Sequence, residues 1–273
     1  MASVVTTING IDVHYEVHHA RTEKTIVFLH GFTGSTKTWH EVMKSLPQNC
    51  RMIAIDLMGH GKTASPKQVS LYTMEQQVEL LEAFFAWKNI EQFDLIGYSM
   101  GGRVALAYAL AHPQRISTLI LESSSPGLED LQDREARMES DHLLAARIQS
   151  EGVEVFVDYW QDIALFHTQK SLSPEQQQAI REERLQQTAI GLANSLRGMG
   201  TGQQKSYWDK LSKFSKPVVL LSGALDAKFI KKAQQMAARF PHCEHRTILE
   251  SGHAIHVENP QSFATIVKEQ LHL

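Results

Sequence analysis

Apolar residues in this chain fall into short continuous runs, separated by stretches in which they recur every three or four positions. Two runs rich in β-branched residues, at 4–8 and 11–17, flank Asn9-Gly10 and predict an opening antiparallel hairpin. Runs at 25–29, 52–55, 93–96, 118–121, 218–221 and 245–249 predict further strands. Between them, 38–46, 74–87, 100–111, 229–240 and 260–271 carry helical periodicity. Strands alternating with helices predict a mostly parallel sheet flanked by helices on both faces. Such a sheet takes its ligands at the carboxyl ends of the strands.

The alternation stops between 126 and 210, where the chain is rich in Gln, Glu and Arg and shows amphipathic helical patterns but no strand. Ser173-Pro174-Glu175-Gln176 marks one helix start, with Ser as cap, Pro at the first position and Gln reaching back. The expected organisation is an α/β core in two parts, 1–125 and 211–273, with a helical lid inserted at 126–210. No repeat or low-complexity segment interrupts it.

Composition narrows the function classes. A hydrophobic content of 42% over 273 residues suffices for a full core and excludes a disordered chain. The net charge of -3 comes without long like-charge blocks, so neither nucleic acid nor an anionic membrane is an expected partner. The start lacks the pattern of a signal peptide and no run could span a bilayer, so a cytoplasmic location is expected. Cys50 and Cys243 match no metal or redox spacing and read as free thiols.

Candidate chemistry begins at Gly97-Tyr98-Ser99-Met100-Gly101, which follows a predicted strand and opens a predicted Ala-rich helix. That context makes Ser99 the tip of a strand-to-helix nucleophile elbow. A serine hydroxyl needs an imidazole to take its proton, and the imidazole needs an acid to fix its tautomer. Asp226 follows the strand ending at 221, and His253, in Ser251-Gly252-His253, follows the strand ending at 249. The chain order Ser99, Asp226, His253 is that of α/β-hydrolases. His256 is a rival base, and the pair His253 and His256 could suggest a metal, though the Glu and helix of a zinc-protease motif are missing. Leu29-His30-Gly31-Phe32 provides a second oxyanion-hole N–H, from Phe32, beside that of Met100. Asp56-Leu57-Met58-Gly59-His60-Gly61 reads as structural turn chemistry.

Arg103 lies four positions past Ser99, so on the elbow helix it shares nearly the same face and would sit beside an anion. Otherwise it pairs with a buried acid or reaches the surface. Arg137 and Arg184 alone would read as solvated helix positions.

Nearly the whole chain resembles the α/β-hydrolase superfamily. The stretches Tyr98 to Arg103, Glu122-Ser123-Ser124-Ser125-Pro126-Gly127-Leu128, Gly223 to Phe229 and Gly252 to Pro260 look like the 2-succinyl-6-hydroxy-2,4-cyclohexadiene-1-carboxylate (SHCHC) synthases of menaquinone biosynthesis. Arg103 with the Pro-Gly-Leu segment is the specific part. A departure such as Met58 touches no expected chemical group.

The resemblance implies a lyase that releases pyruvate from a small substrate with three carboxylates, using no metal or cofactor. It implies that Arg103, Arg137 and Arg184 bind those carboxylates, with Tyr98, Trp160, Phe166 and Lys228 near the pocket. Trp160 and Phe166 fit a lid core equally well. The triad alone would also serve an esterase or a carbon–carbon bond hydrolase, and the fold alone would serve a ligand-binding module.

Overall fold

The computed structural model describes residues 2–19 and 24–273. Strands β1 (Ala2–Ile8) and β2 (Ile11–His18) form the expected hairpin, and both Asn9 and Gly10 take the positive φ that a tight two-residue turn requires. Then follow β3 (Thr25–Leu29), α1 (His40–Ser45), β4 (Arg51–Ile55), α2 (Met74–Trp87), β5 (Phe93–Tyr98), α3 (Met100–Ala111) and β6 (Ile116–Glu122). After the long helical stretch come β7 (Val218–Gly223), a helix over Ala227–Ala237, β8 (Cys243–Ile248) and the closing helices.

The eight strands form one sheet in the order β1-β2-β4-β3-β5-β6-β7-β8, antiparallel at β1–β2 and β2–β4 and parallel from β4 onward. Alternation along the central strands divides the core in two. Val27, Leu29, Ile53, Ile55, Leu95, Leu119 and Leu121 face one layer with α2 and α3. Ile26, Phe28, Met52, Ala54, Ile96 and Ile120 face the other, against Trp39 and Phe263. Both faces are buried, which is why these strands read as continuous apolar runs.

The stretch after β6 contains α4 (Leu131–Trp160), α5 (Pro174–Leu185) and α6 (Ala189–Met199), with a 3-10 segment at Ala164–Ser171. Gly152, with φ of 87°, breaks α4 into two helices, a conformation that costs glycine least. The Ser173 and Gln176 capping box forms in full. Ala145, Ile148, Phe156, Leu192 and Leu196 give this unit its own small core. Its two ends meet, since Tyr207 N donates to Pro126 O and Trp208 Nε1 donates to Gly127 O. It rests on loops that follow β3 and β4: Ser35 donates N–H and O–H to Glu183 Oε1, and Gly61 N donates to Gln187 Oε1.

Differences from the sequence expectations lie at element ends. The expected helix at 38–46 begins as a 3-10 turn, Thr36–Trp39, before α1. Helix α7 (Ala227–Ala237) starts two residues early because Asp226 caps it. Strand β8 (Cys243–Ile248) also starts early, by pairing with β7. The short helix α8 (Ile255–Glu258) was missed; α9 (Pro260–Leu271) was not. Cys50 and Cys243 are free thiols. Among the described residues, no helix is long and apolar enough to cross a membrane.

Two histidines under the sheet's carboxyl edge make stability pH-dependent. His30 Nδ1 donates to Gly31 O while its Nε2 accepts from Leu57 N, a pattern only neutral imidazole can make. His60 stacks 5.2 Å away, and burial pushes its pKa down to about 3; burial lowers that of His30 as well. Unfolded histidines titrate near ~6.5. As pH falls below that value the unfolded chain takes up protons that folded His60 refuses, until pH passes about 3. Folding free energy should therefore fall across this window by about 1.4 kcal/mol per pH unit for His60, and His30 acts in the same direction. Urea titrations between neutral and acid pH test this. His60→Asn should be less acid-sensitive, and an unchanged slope would refute the assignment.

Candidate active site

Ser99 occupies a strained backbone position between β5 and α3, with φ of 49° and ψ of -107°. Its N–H donates to Glu122 O, and Arg103 N donates to its carbonyl, so strand end and helix start are both fixed around it. The flanking glycines are required by contact. A Cβ on Gly97 would meet Gly101 O at 2.5 Å, and one on Gly101 would meet Leu29 O at 2.3 Å. The elbow thus closes directly on the end of β3.

His253 Nε2 lies 3.2 Å from Ser99 Oγ, and His253 Nδ1 lies 2.7 Å from Asp226 Oδ2. A carboxylate only accepts, so Nδ1 carries the hydrogen and Nε2 is left to accept from the serine hydroxyl. Asp226 is itself held in place, its other oxygen accepting from Phe229 N at the start of α7. His253 and Asp226 are both buried, and Phe229 and Tyr98 pack on the imidazole at 4.6 and 5.5 Å.

The rivals have other work. His256 is fully enclosed, with Nδ1 2.8 Å from Glu122 Oε2 and Nε2 2.9 Å from Thr38 Oγ1, so it ties α8 to β6. Asp56 accepts from Thr36 N, Lys62 N and His14 Nδ1, the turn role expected for it. Among the described residues no His, Cys, Asp and Glu cluster suits a metal ion.

Met100 opens α3, so its N–H is one of the first-turn donors that the helix itself leaves unused. Phe32 sits in a loop that approaches the elbow closely: a Cβ on Gly31 would strike the Tyr98 ring at 2.5 Å. Its ring stacks edgewise on Trp160 at 5.5 Å and Phe156 at 6.2 Å.

The anticipated binding residues divide between two cavities. The larger, about 160 Å³, is lined by Ser99, Arg103, Ser123, Arg137, Lys228 and Lys232, with no acidic side chain in its wall. The smaller, about 40 Å³, is lined by Phe32, Tyr98, Phe166, Glu183 and Arg184. The three arginines are therefore not gathered at one point. Trp160 lines neither cavity and packs on Phe32, Phe156 and Phe166 as part of the helical unit's core.

Arg103 is buried, and Nη1 alone makes its bonds, to Met199 O and Gln204 Oε1, both at 2.8 Å. No carboxylate among the described residues forms an ion pair with it; buried Asp141, which pairs with Arg137, acts on it through space. Burial lowers its pKa to about 10, which leaves it charged at neutral pH. Arg184 is also buried, bonded to Gln169 Oε1 and stacked 4.7 Å over Phe166. Arg137 is half-exposed and paired with Asp141, and Lys228 is exposed. Sequence reasoning gave no role to Lys232 or Ser123, although Ser123 stands at the end of a strand that the reading had placed.

A family model described as the alpha/beta hydrolase fold matches residues 24–260. An Enterobacter sp. (strain 638) protein named 2-succinyl-6-hydroxy-2,4-cyclohexadiene-1-carboxylate synthase is 32% identical over 91% of this chain and 92% of its own. A Bacillus subtilis (strain 168) protein, provisionally named as the same synthase, is 39% identical over 98% of this chain and 97% of its own. The chain belongs to the SHCHC synthase family. The solved structure of MenH from S. aureus superimposes with a TM-score of 0.91 at 36% identity, covering 94% of this chain and 97% of that one. A thermophilic esterase from Thermogutta terrifontis, 24% identical with a TM-score of 0.87, shares the fold. SHCHC synthases and esterases thus use one scaffold, and what separates them must lie in the side chains around the elbow.

Proposed function

We propose that this protein is a carbon–oxygen lyase that eliminates pyruvate from 2-succinyl-5-enolpyruvyl-6-hydroxy-3-cyclohexene-1-carboxylate to give SHCHC. His253, oriented by Asp226, takes the proton of Ser99, and the serine oxygen removes the ring proton α to the succinyl ketone. The enolate oxygen accepts from the N–H groups of Phe32 and Met100. Its electrons return through the ring double bond and break the carbon–oxygen bond to the enolpyruvyl group. The proton held on His253 passes to the departing group, which leaves as pyruvate. No water is consumed. Acid–base catalysis of this kind contributes about 10² to 10⁴ in rate, and one oxyanion donor about 10² to 10³.

The observation that carries the reading is Arg103. It is a buried cation in the cavity that Ser99 lines, and no carboxylate among the described residues bonds to it, Asp141 acting on it only through space. A buried cation without a bonded carboxylate is costly, and an anion completes the site. Because Nη1 serves both protein acceptors, the edge formed by Nε and Nη2 is left for the two oxygens of a carboxylate. Arg184, buried in the second cavity with no carboxylate bonded to it, suits a second carboxylate, and Arg137, on the wall of the first cavity, assists there. The helical unit 126–210 serves as the lid that brings Arg137 and Arg184 over the core. A small carboxylated molecule is then the only partner the chemistry needs.

Incubation with the cyclohexene substrate in ¹⁸O-labelled water tests the assignment. Pyruvate should be released in step with SHCHC, no label should enter a newly formed carboxylate, and mass spectrometry should find no adduct on Ser99. Label in a carboxylic product, or an acylated Ser99, would make this a serine hydrolase instead.

A further inference from the structure

Ser123 is an odd residue for its place. It follows β6 directly, with φ of 46°, in the left-handed region where glycine is favoured and serine is strained. It is 2% exposed, and its hydroxyl has no hydrogen-bond partner. The backbone around it is fully engaged: Ser123 N donates to Leu221 O, and the next residue's hydroxyl, Ser124 Oγ, donates to the carbonyl of Ser99. The side chain alone is without a role in the fold. Glycine at this position would remove both the strain and the orphaned hydroxyl.

The cavity whose wall Ser123 helps to form is chemically one-sided. Ser123 lines the cavity of about 160 Å³ with Ser99, Arg103, Arg137, Lys228 and Lys232. Cationic side chains only donate, so a hydroxyl among them gains most from a ligand that accepts several hydrogen bonds at once. A carboxylate does so.

We propose that Ser123 is a substrate-contacting residue whose hydroxyl donates to the carboxylate held by Arg103. This makes the wall between β6 and α3 a carboxylate subsite with a neutral donor beside its cations. The unpartnered hydroxyl is then a feature that the bound state satisfies, and the backbone strain is what placing it there costs. The proposal rests on the lyase reading for the identity of the substrate, though not for the presence of the subsite.

Ser123→Ala and Ser123→Gly both delete the hydroxyl, but only the glycine also relieves the strain. Both should lower kcat/KM for the cyclohexene tricarboxylate by about tenfold or more, through KM, as loss of a hydrogen bond to a charged group does. The glycine variant should melt no lower than wild type. Calorimetric titration with citrate, a tricarboxylate that undergoes no reaction, should show the same loss of affinity in both variants. A KM and a citrate affinity unchanged from wild type would overturn the proposal, as would losses that follow a lowered melting temperature in the alanine but not the glycine variant. If citrate binding depends on Ser123 while wild type releases no pyruvate, the subsite stands and the lyase reading falls. If pyruvate release is intact and Ser123 is dispensable to both measurements, the lyase reading stands and this proposal falls.

Discussion

Ser99→Ala should lower kcat for pyruvate release by about 10² to 10⁴, the range of a positioned acid–base group, while leaving the fold intact. The fold should survive because alanine keeps the backbone contacts that shape the elbow, the N–H to Glu122 O and the carbonyl accepting from Arg103 N. What disappears is the hydroxyl that stands 3.2 Å from His253 Nε2. The serine oxygen and the imidazole transfer one proton between them, so neither works alone. His253→Ala should therefore cost about as much as Ser99→Ala, and the double variant little more than either. Asp226→Asn tests the third member. It removes the acceptor 2.7 Å from Nδ1 and so releases the tautomer, which should cost less than losing the imidazole itself. Measured kcat values that multiply across the Ser99 and His253 variants would mean two independent contributions and would refute a single proton-transfer unit.

The sheet was legible because each central strand is buried on both faces, and burial of that kind writes a continuous apolar run. The helices opening at Met74, Met100 and Pro260 were legible from their periodicity, and in the structure the side chains of Thr73 and Asn259 cap the first and the last of them. Ser99, Asp226 and His253 could be picked out by placement after strands, and the sheet order then brings β5, β7 and β8 close enough for their loops to meet. What the sequence hid is set by packing between distant segments. Nothing local reports that Asp226 would cap α7 as well as orient His253, or that α8 would form to seat His256 on Glu122. The placement of Arg103 and Arg184 in separate cavities was equally hidden, because it depends on how α5 docks on the loop at Ser35. Ser123 was visible as a letter in a motif, but its left-handed backbone and its orphaned hydroxyl exist only in three dimensions.

Arg103→Lys should reduce kcat/KM for the tricarboxylate by more than about tenfold, the equivalent of losing one charged hydrogen bond worth roughly 1.5 to 3 kcal/mol. The argument is geometric. Arg103 spends Nη1 on Met199 O and Gln204 Oε1, both at 2.8 Å, and keeps a second edge for a ligand. A lysine has one nitrogen with three hydrogens. It can satisfy those two acceptors or present a strong contact to a carboxylate, but it cannot reproduce a planar two-point grip while doing so. Charge is retained, so the loss measures geometry and not the field of the site. Arg137→Lys should cost less, because Arg137 is half-exposed and already paired with Asp141, so it offers a substrate carboxylate less than Arg103 does. Comparing the tricarboxylate with a neutral aryl ester separates recognition from chemistry: any residual ester turnover should fall far less than pyruvate release when Arg103 is changed. Equal losses on both substrates would place Arg103 in the scaffold of the elbow. Full activity of Arg103→Ala on the tricarboxylate would remove the observation on which the lyase reading depends.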